Sequence, residues 1–195
     1  AKVLETQFSG MLLQLNQQEV WTTLVGQFNA SNLLVVFAVA HLMELEEMEI
    51  LSLLSTLKNV KGRFQTFTTP NKATVIVDYA HTPDALENVL KTIIKIRTRN
   101  ETLLTLVGCG GNRDQAKRPI MAKVAAASSD IVIFTADNPR DEAPEKIIDE
   151  MEAGVAPEDY KKTLRITHRK AAIKAACMEL KDGDVLLIAG KGHEN

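Results

Sequence analysis

Cysteine is nearly absent from this chain. The two that occur, Cys109 and Cys177, are far apart and lack the spacing of a metal-ligand pair. That excludes a disulfide framework or a zinc-finger pattern and suits free thiols in a reducing compartment, so the cytoplasm is the expected location. Basic excess is lacking as well. The formal net charge is -2, which argues against a general binder of nucleic acid or anionic membrane, because phosphate contacts need surplus lysine and arginine. The longest apolar run, Leu33 to Ala40, is too short to cross a bilayer. The first residues carry no signal-peptide pattern, and no internal repeat or low-complexity segment stands out. What is present is an ordinary apolar fraction, 45% of 195 residues, which is enough for a sizeable core. The chain opens without methionine on a segment that already alternates like a strand. It closes on "IAGKGHEN", just past another strand, and is expected to be a piece of a longer protein.

Up to about Thr69 the pattern is mixed. Val3 to Leu15 and Glu19 to Leu24 read as strand, with turn residues such as Asn16 between. "GQFNASNLLVVFAVAHLMELE" reads as a helix capped by Asn29 or Ser31, apolar all round and therefore expected to be buried. "EEMEILSLLSTL" is a second helical pattern, and Gly62 in "VKGRFQ" interrupts the chain after it. A domain boundary is expected near Thr69-Pro70. Beyond it, short β-branched runs alternate with helical segments. "ATVIVDYA", "TLLTLVG", "DIVIFTA", "TLRIT" and "DVLLIAG" read as strands separated by four helices. That alternation implies βαβ units: an α/β domain with a Rossmann-like, mostly parallel sheet and helices on both faces.

Parallel strands end on one rim, where α/β proteins place ligands. Four strand ends here are followed by "HTPD", "CGGNRDQAKRP", "DNPRDEAP" and "KGHEN". In "GCGGNRD", glycine lets the backbone approach a ligand closely, and Arg113 suits a carboxylate or phosphate; a tight βα turn would use the same glycines. It is neither the dinucleotide fingerprint nor a Walker A loop. In "DNPR", Pro139 stiffens the turn and aims Arg140 past the strand end. The competing reading is an exposed arginine paired with Asp141 or Glu142. His41 and His168 read as structural or surface residues. His81 and His193 lie on the rim without metal-pair spacing, and Cys109 reads as a small buried residue.

Taken together, these motifs resemble the Mur ligases, ATP-dependent enzymes that add amino acids to the peptidoglycan precursor. "GQFNASNLLVVFAVA" and "VKGRFQ" are similar to the end of that family's central ATPase domain. "VDYAHTPDAL", "GCGGNRDQAKRPIM", "TADNPRDEAP" and "IAGKGHEN" are similar to its C-terminal domain. The resemblance implies residues 1–69 as the tail of the ATPase domain and 70–195 as the amino-acid-binding domain. Asp-Asn-Pro-Arg is the form associated with members that add meso-diaminopimelate to UDP-N-acetylmuramoyl-L-Ala-D-Glu. On that basis Arg113, Asn138, Arg140, Gly190 and Glu194 would hold diaminopimelate, with Arg140 on its far carboxylate. Asn29, Asn32, Arg63, Asp78 and His81 would face ATP, with Asp78 accepting from the ribose hydroxyls. The family reaction uses ATP and Mg²⁺ and passes through an acyl phosphate.

The sequence departs from the family pattern in lacking a G-T-x-G-K-[ST] phosphate loop, and Phe64 stands where methionine is expected. No catalytic or metal-binding residue of the family maps onto this chain, so it is expected to be inactive by itself; a monomer is also expected. Two alternatives stay open at this point: a lysine-adding relative, and an α/β ligand-binding module without catalysis.

Overall fold

The computed structural model describes residues 1–98 and 100–194. Two compact units divide between Val60 and Lys61.

The first unit is a three-stranded antiparallel sheet with two helices. Strands β1 (Lys2–Gln7), β2 (Gly10–Leu15) and β3 (Gln18–Thr22) pair in sequence order. The single stretch Val3 to Leu15 is thus two strands. Asn16 and Gln17, both at positive φ, form the tight turn between β2 and β3. Helix α1 (Gln27–Leu42) starts at Gly26, whose φ is 99°, and has no side-chain cap. The capping expected of Asn29 or Ser31 does not occur, because both already lie inside the helix and bond backward to Val25 O and Gln27 O. Nor is α1 buried all round. Ala30 and Leu33, with Phe37 and Ala40, join the core formed by Met11, Leu13 and Leu15 and by α2 (Glu47–Thr56). Those residues form one stripe at helical spacing, and one sheet with one neighbouring helix covers only that stripe. Leu34, Val35, Val36, Val39 and Leu42 stay exposed.

The second unit has a six-stranded sheet in the order β4-β5-β9-β6-β7-β8, parallel except for the β4–β5 pair. Its strands are β4 (Gln65–Thr68), β5 (Thr74–Asp78), β6 (Leu103–Val107), β7 (Ile131–Phe134), β8 (Thr163–Arg165) and β9 (Val185–Ala189). Helices α3 (Pro83–Ile96), α4 (Lys117–Ser128), α5 (Pro144–Glu152) and α6 (Arg169–Glu179) connect the parallel ones. A short 3-10 turn, Pro157–Lys162, precedes β8. Strand β4 has no counterpart among the strands expected from the sequence. It pairs antiparallel with β5, and so residues 61–69 belong to the second unit rather than to the segment ending at Thr69.

The faces follow from alternation along each strand. Leu104 and Leu106 of β6 point to one side, where Ala172, Ala176 and Leu180 of α6 and its C-cap meet them. Thr105 points to the other side, and its hydroxyl bonds the Ser129 hydroxyl at the end of α4, 2.7 Å away. Chain direction explains the split. From β5 the strands step outward to β6, β7 and β8; then β9 returns to fill the place left between β5 and β6. A reversed right-handed crossover puts its helix on the opposite face. The reversal also makes the β5–β9–β6 edge the switch point of the sheet, where strand-end loops diverge and leave a crevice.

Candidate functional site

Three loops at that edge, with the loop after β7, bound a cleft of about 390 Å³. Tyr79, His81 and Thr82 come from the end of β5, Gly190 and Glu194 from the end of β9. Gly110, Arg113, Asp114 and Lys117 follow β6, while Asp137, Asn138 and Arg140 follow β7. All five residues expected to meet an amino acid therefore line one cavity: Arg113, Asn138, Arg140, Gly190 and Glu194. His81 joins them. Asn29 and Asn32 lie on α1 in the first unit and are not among the lining residues.

Two of the glycines after β6, Gly108 and Gly111, are required by packing between loops. A side chain on Gly111 would place its Cβ 1.9 Å from the Pro139 carbonyl oxygen, and one on Gly108 would meet Thr135 O at 2.3 Å. The backbone that comes close at these two positions is the loop after β7. Gly111 N–H donates to Asn138 O at 2.9 Å, and Arg140 Nη1 donates back to Gly111 O at 2.8 Å. The two loops are thus zipped together, and Arg140 is held at φ 50°. The pairing of Arg140 with Asp141 or Glu142 is not formed. Asp141 accepts from the Asn112 amide, and Glu142 pairs with Arg118. Among the described residues, ion pairs engage Arg97, Arg118 and Arg165, but neither Arg113 nor Arg140.

Arg118 is the residue that no sequence signal revealed. It is 0% exposed, forks Glu142 through both terminal nitrogens at 2.8 Å, reaches Glu150 at 2.6 Å and donates to Gly110 O at 3.2 Å. It anchors the glycine loop from below. Its bonds, followed by the Asn112 N–H, hold the Glu142 carboxyl down to about 2.

The carboxylates of Glu194 and Asp137 line the same cleft as Arg113 and Arg140. Glu194 accepts from Asn138 Nδ2 at 2.7 Å and from the Tyr79 hydroxyl at 3.0 Å, and these bonds lower its pKa. Asp137 lies deeper; burial raises its pKa, against the pull of Arg169 and Lys191. Gly190, at φ 111°, permits this arrangement, since a Cβ there would meet Asp137 Oδ2 at 2.8 Å. Arg169 donates to Ala189 O at 2.8 Å beneath the same rim.

The β5 end carries the remaining expected residues. Asp78 is 6% exposed, and its two oxygens accept the backbone N–H groups of Phe64 and Ala80, each at 2.7 Å. Asp78, expected to accept from the ribose hydroxyls, thus also holds the loop, with one N–H on each oxygen. Burial raises the Asp78 pKa more than these bonds lower it. The Arg63 guanidinium lies over the Tyr79 ring, 4.6 Å from its centre, and the His81 ring meets the same ring edge-on. Lys117 Nζ donates to His81 O at 2.7 Å. Cys109 is buried, which pushes its thiol up to about 11, and His168 caps α6. Asn195, the last residue of the final rim motif, lies outside the described residues. Among those described, no three His, Cys, Asp or Glu side chains converge to hold a metal, and no helix is long and apolar enough to cross a membrane.

Comparison with known proteins identifies relatives of the whole chain. A UDP-N-acetylmuramoyl-L-alanyl-D-glutamate--2,6-diaminopimelate ligase of Bacteroides thetaiotaomicron is 55% identical over 194 residues, covering 100% of this chain and 40% of its own length. The equivalent ligase of Geobacillus kaustophilus is 47% identical over 175 residues, covering 90% of this chain and 35% of its own. This chain thus spans about 40% of the length of the curated relatives it matches most extensively. A solved structure of such a ligase superposes with TM-score 0.69 at 35% identity, covering 100% of this chain and 40% of that one. Folylpolyglutamate synthase of Thermotoga maritima, at 19% identity and TM-score 0.72, shares the fold alone. Residues 62–192, nearly the whole second unit, match the Mur ligase, glutamate ligase domain, and the chain belongs to the Mur ligase family.

Proposed function

We propose that this chain is the amino-acid-binding end of an ATP-dependent ligase that joins meso-diaminopimelate to UDP-N-acetylmuramoyl-L-Ala-D-Glu during cytoplasmic peptidoglycan synthesis. One observation carries the reading: a single cleft sets two guanidinium groups without carboxylate partners, Arg113 and Arg140, against two carboxylates, Asp137 and Glu194. The far end of diaminopimelate is a zwitterion. Its carboxylate suits the guanidinium forks and its ammonium suits the acidic pair. Lysine carries the ammonium but no far carboxylate, and would leave both arginines unmatched. The names of the relatives point the same way.

In this reading the second unit orients the amino acid, and the first unit is the tail of the ATPase domain. Arg63, stacked on Tyr79, and His81 face the nucleotide; Asp78 shapes the loop that carries them. Asn29 and Asn32 are assigned to the nucleotide side through the family resemblance alone. Mur ligases in general use ATP and Mg²⁺. No described residues here group as a metal site, and no step is assigned to Mg²⁺ through this chain. The reaction places the terminal phosphoryl group of ATP on the D-Glu side-chain carboxylate. The diaminopimelate amine then attacks that acyl carbon, loses a proton and expels phosphate. What the cleft contributes is orientation of the attacking amine.

The test is ligation by the intact protein with meso-diaminopimelate or L-lysine as acceptor. A kcat/KM for diaminopimelate at least a hundredfold above that for lysine is expected. Equal use of lysine overturns the assignment. The 195 residues alone are expected to release no ADP that depends on both substrates.

A further inference from the structure

We propose that Tyr79 is a positioning residue that sets the Glu194 carboxylate for the incoming amino acid and links it to the Arg63 side of the cleft. The inference rests on the diaminopimelate reading above and extends it to a residue that the rim motifs did not single out.

Glu194 sits on a loop with two positive-φ glycines, Gly190 at 111° and Gly192 at 52°. A glutamate on such a backbone has many conformations to lose on meeting a ligand. Here both of its oxygens are already held, from two different strand ends. Asn138 Nδ2 donates to Oε2 at 2.7 Å, and the Tyr79 hydroxyl donates to Oε1 at 3.0 Å. Each oxygen keeps a further lone pair, so the pinned carboxylate still accepts from an ammonium. The ordering cost is met before the substrate arrives.

Tyr79 is itself firmly placed. Its backbone N–H donates to Gly62 O at 2.8 Å. A Cβ on Gly192 would lie 2.8 Å from the Tyr79 Cβ, and one on Gly62 would lie 2.4 Å from His193 N. Three segments therefore interlock around this residue, and its two ends do different things. The hydroxyl bonds Glu194. The ring supports the Arg63 guanidinium at 4.6 Å and packs on the His193 ring at 5.4 Å. Removing the hydroxyl and removing the ring should therefore separate two effects.

The experiment measures KM for diaminopimelate and for ATP, with kcat, in the intact ligase. The variants are Tyr79→Phe, Tyr79→Ala, Glu194→Ala and the Tyr79→Phe/Glu194→Ala double. Tyr79→Phe is expected to raise the diaminopimelate KM roughly tenfold, the size of one lost hydrogen bond to a charged group, while ATP KM stays within about twofold. Tyr79→Ala is expected to raise both. If the hydroxyl acts through Glu194, Tyr79→Phe changes the diaminopimelate KM less than about twofold in the Glu194→Ala background. An unchanged diaminopimelate KM in Tyr79→Phe overturns the inference while leaving the functional reading intact. So does a full tenfold effect that persists without Glu194. A wild-type enzyme that does not ligate diaminopimelate overturns the functional reading and the inference together. Tyr79→Phe keeps the ring and its packing, so the outcome does not depend on whether Tyr79→Ala folds.

Discussion

Arg140 is an exposed arginine in the left-handed region, φ 50°, where a non-glycine residue is uncommon. Its Nη1 ties it to Gly111 O and Asn138 O, which leaves its other guanidinium nitrogens free to form a fork. In the intact enzyme, Arg140→Ala is expected to reduce use of diaminopimelate by roughly one to two orders of magnitude, the worth of charge-assisted bonds, with ATP KM unchanged. Arg140→Lys keeps the charge but loses the planar fork, and should also be impaired. Steady-state kinetics of both variants checks this; unchanged diaminopimelate kinetics in Arg140→Ala makes the turn a plain surface loop. Arg118 acts differently, through the fold. Arg118→Met keeps the apolar stem but strands Glu142 and Glu150, and should lower Tm by roughly 5–10 °C. The pH dependence has a definite sign. Glu142 is held at about 2 in the folded chain, below its ordinary 4.5. Its contribution to stability is complete above about 4.5 and is lost as pH falls toward 2. The melting temperature should therefore fall more steeply in wild type than in Arg118→Met as pH drops across that window.

The elements that matter are the loops after β6 and β7, which behave as one part. Their separation is set by Gly108 and Gly111, where the neighbouring carbonyls leave no room for a Cβ. Gly111→Ala must push the Pro139 turn away, and Asn138 and Arg140 move with it. The expected cost is about 1–3 kcal/mol of stability, as for other overpacked sites. The diaminopimelate KM should rise in the same variant, because two cleft residues sit on the displaced turn. Thermal unfolding and kinetics of that variant provide the check. A variant that unfolds at a lower temperature yet binds diaminopimelate as before would show that the loops move independently.

At the scale of the molecule, each unit has its own sheet and its own core. Residues 61–195 are expected to fold alone, with a single cooperative thermal transition by circular dichroism. A polypeptide starting at residue 70 should be markedly less stable. It loses β4 and the Phe64 ring, which is 0% exposed and whose removal from a core costs about 3–5 kcal/mol. It also strips Asp78 of one of its two backbone donors. Equal melting temperatures for the two polypeptides would mean that β4 adds nothing to the second unit.

Local pattern alone determined most of the second unit. Five β-branched runs separated by amphipathic helices specify a parallel α/β sheet, because period and length are properties of short stretches. The rim residues were legible for the same reason: in such a sheet every strand end shares one edge, so Arg113, Asn138, Arg140, Gly190 and Glu194 had to be neighbours. Tertiary structure decided what depends on distant partners. Strand β4 is four residues long and becomes a strand only by pairing with β5. The exposed face of α1 is as apolar as its buried stripe, so composition could not say which side packs. The sequence shows Asp78 at a strand end, and only the fold brings the backbone donors of Phe64 and Ala80 to its two oxygens. Arg118 reads as one more basic residue at a helix start, and only its burial against Glu142 and Glu150 makes it an anchor. The bond from Tyr79 to Glu194 joins residues 115 positions apart, a separation over which sequence periodicity carries no information.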